Sequence, residues 1–122
     1  MLRKSVPERC PFYLAWIRTL PCAICLRLRS SYLVVEAAHT KTLGPRGLGQ
    51  KTSDYSAIPL CFWHHRGSRD SYHELGEERF AERHVINLRE LVLALNELYR
   101  SIEVILEEGG VWREREWSTR KH

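Results

Sequence analysis

Ser56-Ala57-Ile58-Pro59-Leu60-Cys61-Phe62-Trp63-His64-His65 is the stretch that decides the fold. Its first half, Ser56 to Leu60, reads as a strand, and Pro59 assigns it to a sheet edge or a strand end. A helix is expected to begin near Phe62 and to carry His64 and His65. Between the two elements, Cys61 and His64 stand two residues apart. The same gap occurs upstream in Cys22-Ala23-Ile24-Cys25, directly after Pro21. A two-residue gap lets one turn aim both side chains at a single tetrahedral ion, and Cys and His are the donors that zinc prefers. Cys22, Cys25, Cys61 and His64 would fill all four positions, which leaves none for water. The expected Zn2+ is therefore structural. A redox pair at Cys22 and Cys25 fits less well, because Cys61 and His64 complete a metal set. Cys10 has no partner at ligand spacing.

Working outward, Pro11 to Leu20 reads as a short helix that starts at a proline and is stopped by Pro21. Tyr32 to Ala38 has the β-branched and aromatic content of a strand, with His39 at its end. Residues 40–53 hold Gly44, Pro45, Gly47 and Gly49 among Lys41, Arg46 and Lys51, the composition of a loop. Gly76 to His84 forms one helix. A longer one starts at Asn87, where Asn87 and Glu90 make a capping pair, and Leu88, Leu91, Val92, Leu95, Leu98, Ile102 and Ile105 line one face. That face suits the chain's own core and also pairing with a second copy, so a homodimer through the C-terminal helix is an open expectation. Gly109-Gly110 is predicted to end the helix, leaving a mixed-charge tail from Val111 to His122.

The 122 residues fit one domain, 43% apolar and 28% charged. A zinc-stapled core over about 11–75, a helical extension over about 76–108 and the tail over 111–122 are expected. No apolar run reaches signal-peptide or membrane-span length, which predicts a soluble cytoplasmic protein with no membrane partner. The net charge of +4 is uneven: residues 1–73 carry 11 Lys and Arg against 4 Asp and Glu. Positive charge gathered around the cysteines and histidines favours a polyanionic partner.

His65 follows a metal ligand directly. Adjacent helical residues point about 100° apart, so His65 cannot easily serve the same ion and must do something else. A helix that faces the strand end brings His65 to His39, with His73 approaching the same place.

Together, Pro21-Cys22-x-x-Cys25, Glu36-Ala37-Ala38-His39, Ser53-Asp54, Ile58-Pro59-Leu60-Cys61-x-x-His64-His65 and Tyr72-His73-x-Leu75-Gly76-x-x-x-Phe80 resemble the HNH nucleases, especially small phage-type members. The resemblance covers roughly residues 11–95. It implies an α+β fold: a ββα-metal nuclease core with a structural zinc and additional flanking helices. It also implies a metal-dependent DNA endonuclease of the kind carried by phages and mobile elements. By position, His39 is the general base, and His65 and His73 are ligands for a catalytic Mg2+ or Mn2+. Two positions depart from the family. Ala38 stands where Asp or His often binds the cation, so a third ligand is unassigned. Ser56 stands where Asn is usual, and Asp54 is expected to replace it, either orienting His39 or reaching the cation. Lys41, Arg46 and Lys51 are candidates for tracking DNA phosphates. The competing expectation is a non-catalytic zinc-stabilised module that binds DNA or protein. It leaves His39, His65 and His73 without a task.

Overall fold

A pair of five-residue strands organises the chain. Strand β1, Val35–His39, runs antiparallel to β2, Ala57–Cys61, with Val35 opposite Cys61 and His39 opposite Ala57. The computed structural model describes residues 9–43 and 52–121, with side chains through residue 107. Arg46 and Lys51 lie outside the described residues.

The strand predicted at Tyr32–Ala38 is shifted to Val35–His39, because β2 offers only five residues to pair with. One further bond extends the ladder at each end: Phe62 N–H donates to the Val34 carbonyl at 2.9 Å, and Thr40 N–H to the Ser56 carbonyl at 3.1 Å. Pro59, which lacks an N–H, is tolerated in a two-stranded sheet because each strand has a free edge.

Helix α1, Pro11–Ile17, buries Tyr13 and Ile17 against the sheet and against a 3-10 turn, Asp54–Ser56. It stops short of Leu20 because its last turn tightens: Thr19 and Leu20 donate to the carbonyls of Trp16 and Ile17 before Pro21. After β2 comes one π-helical turn, Trp63–Gly67, where a helix beginning near Phe62 was expected; it carries both His64 and His65. A Cβ on Gly67 would stand 2.4 Å from the Phe62 ring, so only glycine closes this turn.

Helices α2, Tyr72–Leu75, and α3, Glu77–His84, follow. Phe80 is fully buried, with the rings of Tyr72 and His84 at 5.4 and 4.6 Å. Val85 ends α3 in the left-handed region at φ 52°, and Ile86 N–H donates back to the Ala81 carbonyl. This closing geometry normally takes glycine. A left-handed β-branched residue costs about 1 kcal/mol, and Val85 is 91% exposed, so it recovers nothing by packing. Val85→Gly is therefore expected to raise stability by about 1 kcal/mol in chemical denaturation. An unchanged or lowered midpoint would contradict this.

Helix α4 runs Leu88–Lys121. The Asn87 side chain accepts from Glu90 N–H at 3.0 Å, as the capping pattern predicts. The helix passes through Gly109-Gly110, where the sequence predicted a stop. Each interior glycine costs about 1 kcal/mol against alanine, but a helix already nucleated need only continue. The chain divides into two compact units, Met1–Val92 and Leu93–His122, the second being the remainder of α4. In the second unit, Leu98 and Ile105 of the predicted stripe are exposed. Among the described residues no helix is long and apolar enough to cross a membrane.

Candidate metal centre and two histidine–carboxylate pairs

Cys22 and Cys25 sit on a knuckle that the backbone builds. Cys22 N–H donates to the Arg27 carbonyl at 3.0 Å, and Leu26 N–H to the Cys22 carbonyl at 2.7 Å. Leu26 takes φ 59° to close it. Ala23 N–H donates to the Pro59 carbonyl at 2.8 Å, which fastens the knuckle to β2. Cys61 ends β2, and the π-helical turn carries His64, whose Nδ1 lies 3.3 Å from Cys61 Sγ and 3.7 Å from Cys22 Sγ. The donor atoms of Cys22, Cys25, Cys61 and His64 all lie within 4.8 Å of one another. A tetrahedral zinc with bonds of about 2.0–2.3 Å sets its donors roughly 3.5 Å apart; the two His64–cysteine separations match that spacing, so the cluster could hold a metal such as zinc.

Electrostatics point the same way. Burial alone would raise the Cys22 thiol, but the N–H groups of Cys25, Cys61 and Ile24 outweigh it and bring it below the ordinary thiol value. Cys61 is pushed up to about 11 by burial and by its Cys22 and Cys25 neighbours. Metal ligation requires deprotonated sulfurs, so a cation bound at this cluster would offset the repulsion that raises Cys61.

The second group starts from the end of β1. His39 Nε2 lies 2.9 Å from Asp54 Oδ1. Asp54 is buried at the start of the 3-10 turn, where its Oδ2 accepts Cys10 N–H at 2.8 Å and Arg9 stands 3.5 Å from Oδ1. Burial would raise the Asp54 carboxyl, but the hydrogen bonds from His39 and Cys10 and the charge of Arg9 hold it below its usual range. An ionised carboxylate only accepts, so Nε2 is the donor in this hydrogen bond. Ser56 is also buried, but its hydroxyl donates to the Ser53 carbonyl at 2.7 Å and so serves the turn.

Because the folded Asp54 pKa is depressed, its stabilising effect is present above the unfolded carboxyl value of about 3.9 and is lost as pH falls through the folded value. Wild type is expected to melt above Asp54→Asn at pH 6, with the gap closing below about pH 4. Both proteins share the cysteine cluster, so the difference isolates Asp54. A gap constant from pH 6 to pH 3 would refute this.

The third group was not read from the sequence. His65 Nδ1 lies 2.6 Å from Glu36 Oε1, and Arg66 donates to both Glu36 oxygens at 3.1 and 2.8 Å. The Arg66 hydrogen bonds, with those of His65, hold Glu36 down to about 2. Burial keeps the His65 pKa below the ordinary imidazole value despite Glu36, so His65 is neutral at pH 7. Its Nδ1–H is committed to Glu36, and Nε2 is left with the lone pair. The His73 ring packs edge-on at 4.6 Å from the His65 ring.

His65 thus meets Glu36, and not His39 as the sequence suggested. The cause is strand alternation: Glu36 and Ala38 share one face of β1, and His39 points to the other. Among the described residues no hydrogen bond or ring contact joins the His39–Asp54 pair to the His65–Glu36 pair.

No known protein family, curated protein or solved structure matches this chain.

Lys41 is exposed, and its backbone fixes the chain after β1: Lys41 N–H donates to Glu77 Oε1 at 2.9 Å, beside the Tyr72 hydroxyl, which donates to the same oxygen. Arg89 donates to the Thr42 carbonyl at 2.9 Å, and Arg9 to the Thr52 carbonyl at 2.9 Å. Glu77 was not singled out by sequence, because its partners are 36 and 5 residues away and follow no motif. His84 Nε2 donates to the Asp70 carbonyl at 2.8 Å, and the His84 ring lies 5.6 Å from that of His64.

Proposed function

We propose that this chain is an HNH-type, divalent-metal-dependent DNA endonuclease with a ββα-metal core, stapled by structural zinc at Cys22, Cys25, Cys61 and His64. The observation that carries this reading is His39 at a strand end, its Nε2 held at 2.9 Å by a buried carboxylate and its Nδ1 in no hydrogen bond among the described residues. Chemistry on a phosphodiester needs such a group to take a proton from the attacking water. His39 is the base, and Asp54 sets its tautomer and steadies the imidazolium that forms, as a carboxylate does in other histidine-based sites. His65 and His73 would hold Mg2+ or Mn2+, with Glu36 orienting His65, and the phosphodiester would lie across the end of β1 to meet both this cation and His39 on the other face. When bound, that cation offsets charge on the phosphate and the leaving oxygen.

A non-catalytic zinc module explains the cysteines and the charge but gives the two histidine–carboxylate pairs no task. The discriminating experiment is incubation of supercoiled plasmid with purified protein and Mg2+ or Mn2+. Conversion to nicked or linear DNA is expected, with binding that weakens steeply as salt rises, because phosphate contacts release counterions. Binding without any cleavage, in either metal, would favour the module.

A further inference from the structure

Leu26 and Arg27 close the knuckle through their backbones, but the side chains between the knuckle and β1 take no part in the three groups described above. From Arg9 to Val35 the chain holds Arg9, Arg18, Arg27 and Arg29 and no acidic residue. Arg27 and Arg29 are exposed, and among the described residues neither enters a salt bridge. Beside them Leu26, Leu28 and Val34 are exposed, and Tyr32 is 93% exposed. A tyrosine ring typically buries 150 Å² or more when it supports a core, so this one contributes almost nothing to folding.

Tyr32 is nevertheless held in place. Ser30 Oγ accepts the N–H groups of Tyr32 and Leu33, each at 3.2 Å, and Ser30 N–H donates to the Leu33 carbonyl at 2.8 Å. Leu33 is buried, which anchors the tip of the turn while Tyr32 projects from it. A partner that stacks on this ring would freeze two side-chain torsions and no backbone.

We propose that the arm from Leu26 to Val34 is a single-stranded DNA platform, with Tyr32 stacking on an unpaired base and Arg27 and Arg29 holding the flanking phosphates. The proposal rests on the nuclease reading and names its substrate class. Free arginines beside an exposed aromatic ring, with no carboxylate in the segment, match a backbone of phosphates carrying bases. Duplex DNA would offer the arginines phosphates but keep its base faces stacked away from the ring. The arm also leads into the candidate site. Val34 is bonded to Phe62, Glu36 holds His65, and Tyr32 lies four residues before Glu36, at most about 14 Å along extended chain. A strand stacked on Tyr32 has neighbouring phosphates within reach of His65 and His73.

The test is fluorescence anisotropy of a short fluorescein-labelled mixed-sequence strand and of its duplex, with the zinc-loaded protein and no added Mg2+. Tyr32→Ala is expected to weaken single-strand binding roughly 10-fold and to leave duplex binding and the melting midpoint unchanged. Tyr32→Phe should keep wild-type affinity, because the ring does the work. Replacing Arg27 and Arg29 by Ser should weaken both DNAs and flatten the salt dependence. Unchanged single-strand affinity in Tyr32→Ala overturns the proposal, as does an equal loss for duplex or tighter binding of an acidic peptide than of the strand. If Tyr32 governs binding but plasmid is never cut, the platform stands and the nuclease reading fails. If plasmid is cut and Tyr32 is irrelevant, the reverse holds.

Discussion

Replacing His39 by alanine is expected to lower Mg2+-dependent plasmid nicking by roughly 100-fold or more, the usual contribution of a positioned general base. Zinc content, fold and DNA affinity should stay near wild type, because His39 is a third exposed and belongs to neither the cysteine cluster nor the arginine arm. Asp54→Asn should also slow cleavage, since an amide can donate to Nε2 and let the proton settle on Nδ1, the nitrogen required as acceptor. His65→Ala should fail differently. It removes a proposed cation ligand, so raised Mn2+ is expected to restore part of its activity and none of that of His39→Ala. Cleavage by His39→Ala at the wild-type rate, from the same preparation, would remove His39 from the reaction.

The second large effect is on stability. Structural zinc contributes apparent folding free energies of about 10–16 kcal/mol in small zinc peptides, comparable to the whole 5–15 kcal/mol of a typical domain. The protein is expected to purify with about one zinc per chain. Cys61→Ser should lose the metal and its cooperative unfolding transition, because Cys61 joins β2 to the knuckle through the ion. Cys10→Ser is the control: its backbone alone makes the hydrogen bonds, the N–H to Asp54 and the carbonyl to Tyr13 and Leu14, so metal content and unfolding should be retained. Elemental analysis and circular dichroism decide it, and a folded, cooperative Cys61→Ser protein would exclude a structural metal.

The metal cluster was legible because its information is local: two pairs of ligands, each two residues apart, and a strand ending at one of them. The two strands, α1, α3 and the start of α4 were legible for the same reason, whereas the 3-10 turn at Asp54–Ser56 and the short α2 were not read. Boundaries were less so, since β1 is set by the length of its partner and the end of α1 by how its last turn tightens. The partners of the histidines were the hardest part. Asp54 was visible as a substitute for Ser56, but its shared bonds to His39 and Cys10 depend on α1 packing over the 3-10 turn. Glu36 was in plain view as the residue three before His39. Its bond to His65 follows from alternation, since Glu36 shares a face with Ala38, the very position where the expected acidic ligand was missing. Gly109-Gly110 misled because glycine marks helix ends only when nothing upstream has already paid for nucleation.

The fastenings at Thr42 and Thr52 have an engineering meaning. Arg89 and Glu77 fix the chain on one side and Arg9 on the other, so His39 and Asp54 are each separated from residues 44–51 by an anchored carbonyl. Doubling the length of a flexible connection adds only about 0.6 kcal/mol of closure cost. A peptide spliced between Thr42 and Thr52 would therefore meet fixed points of attachment on both sides, and the hydrogen bond between His39 and Asp54 is expected to survive the insertion.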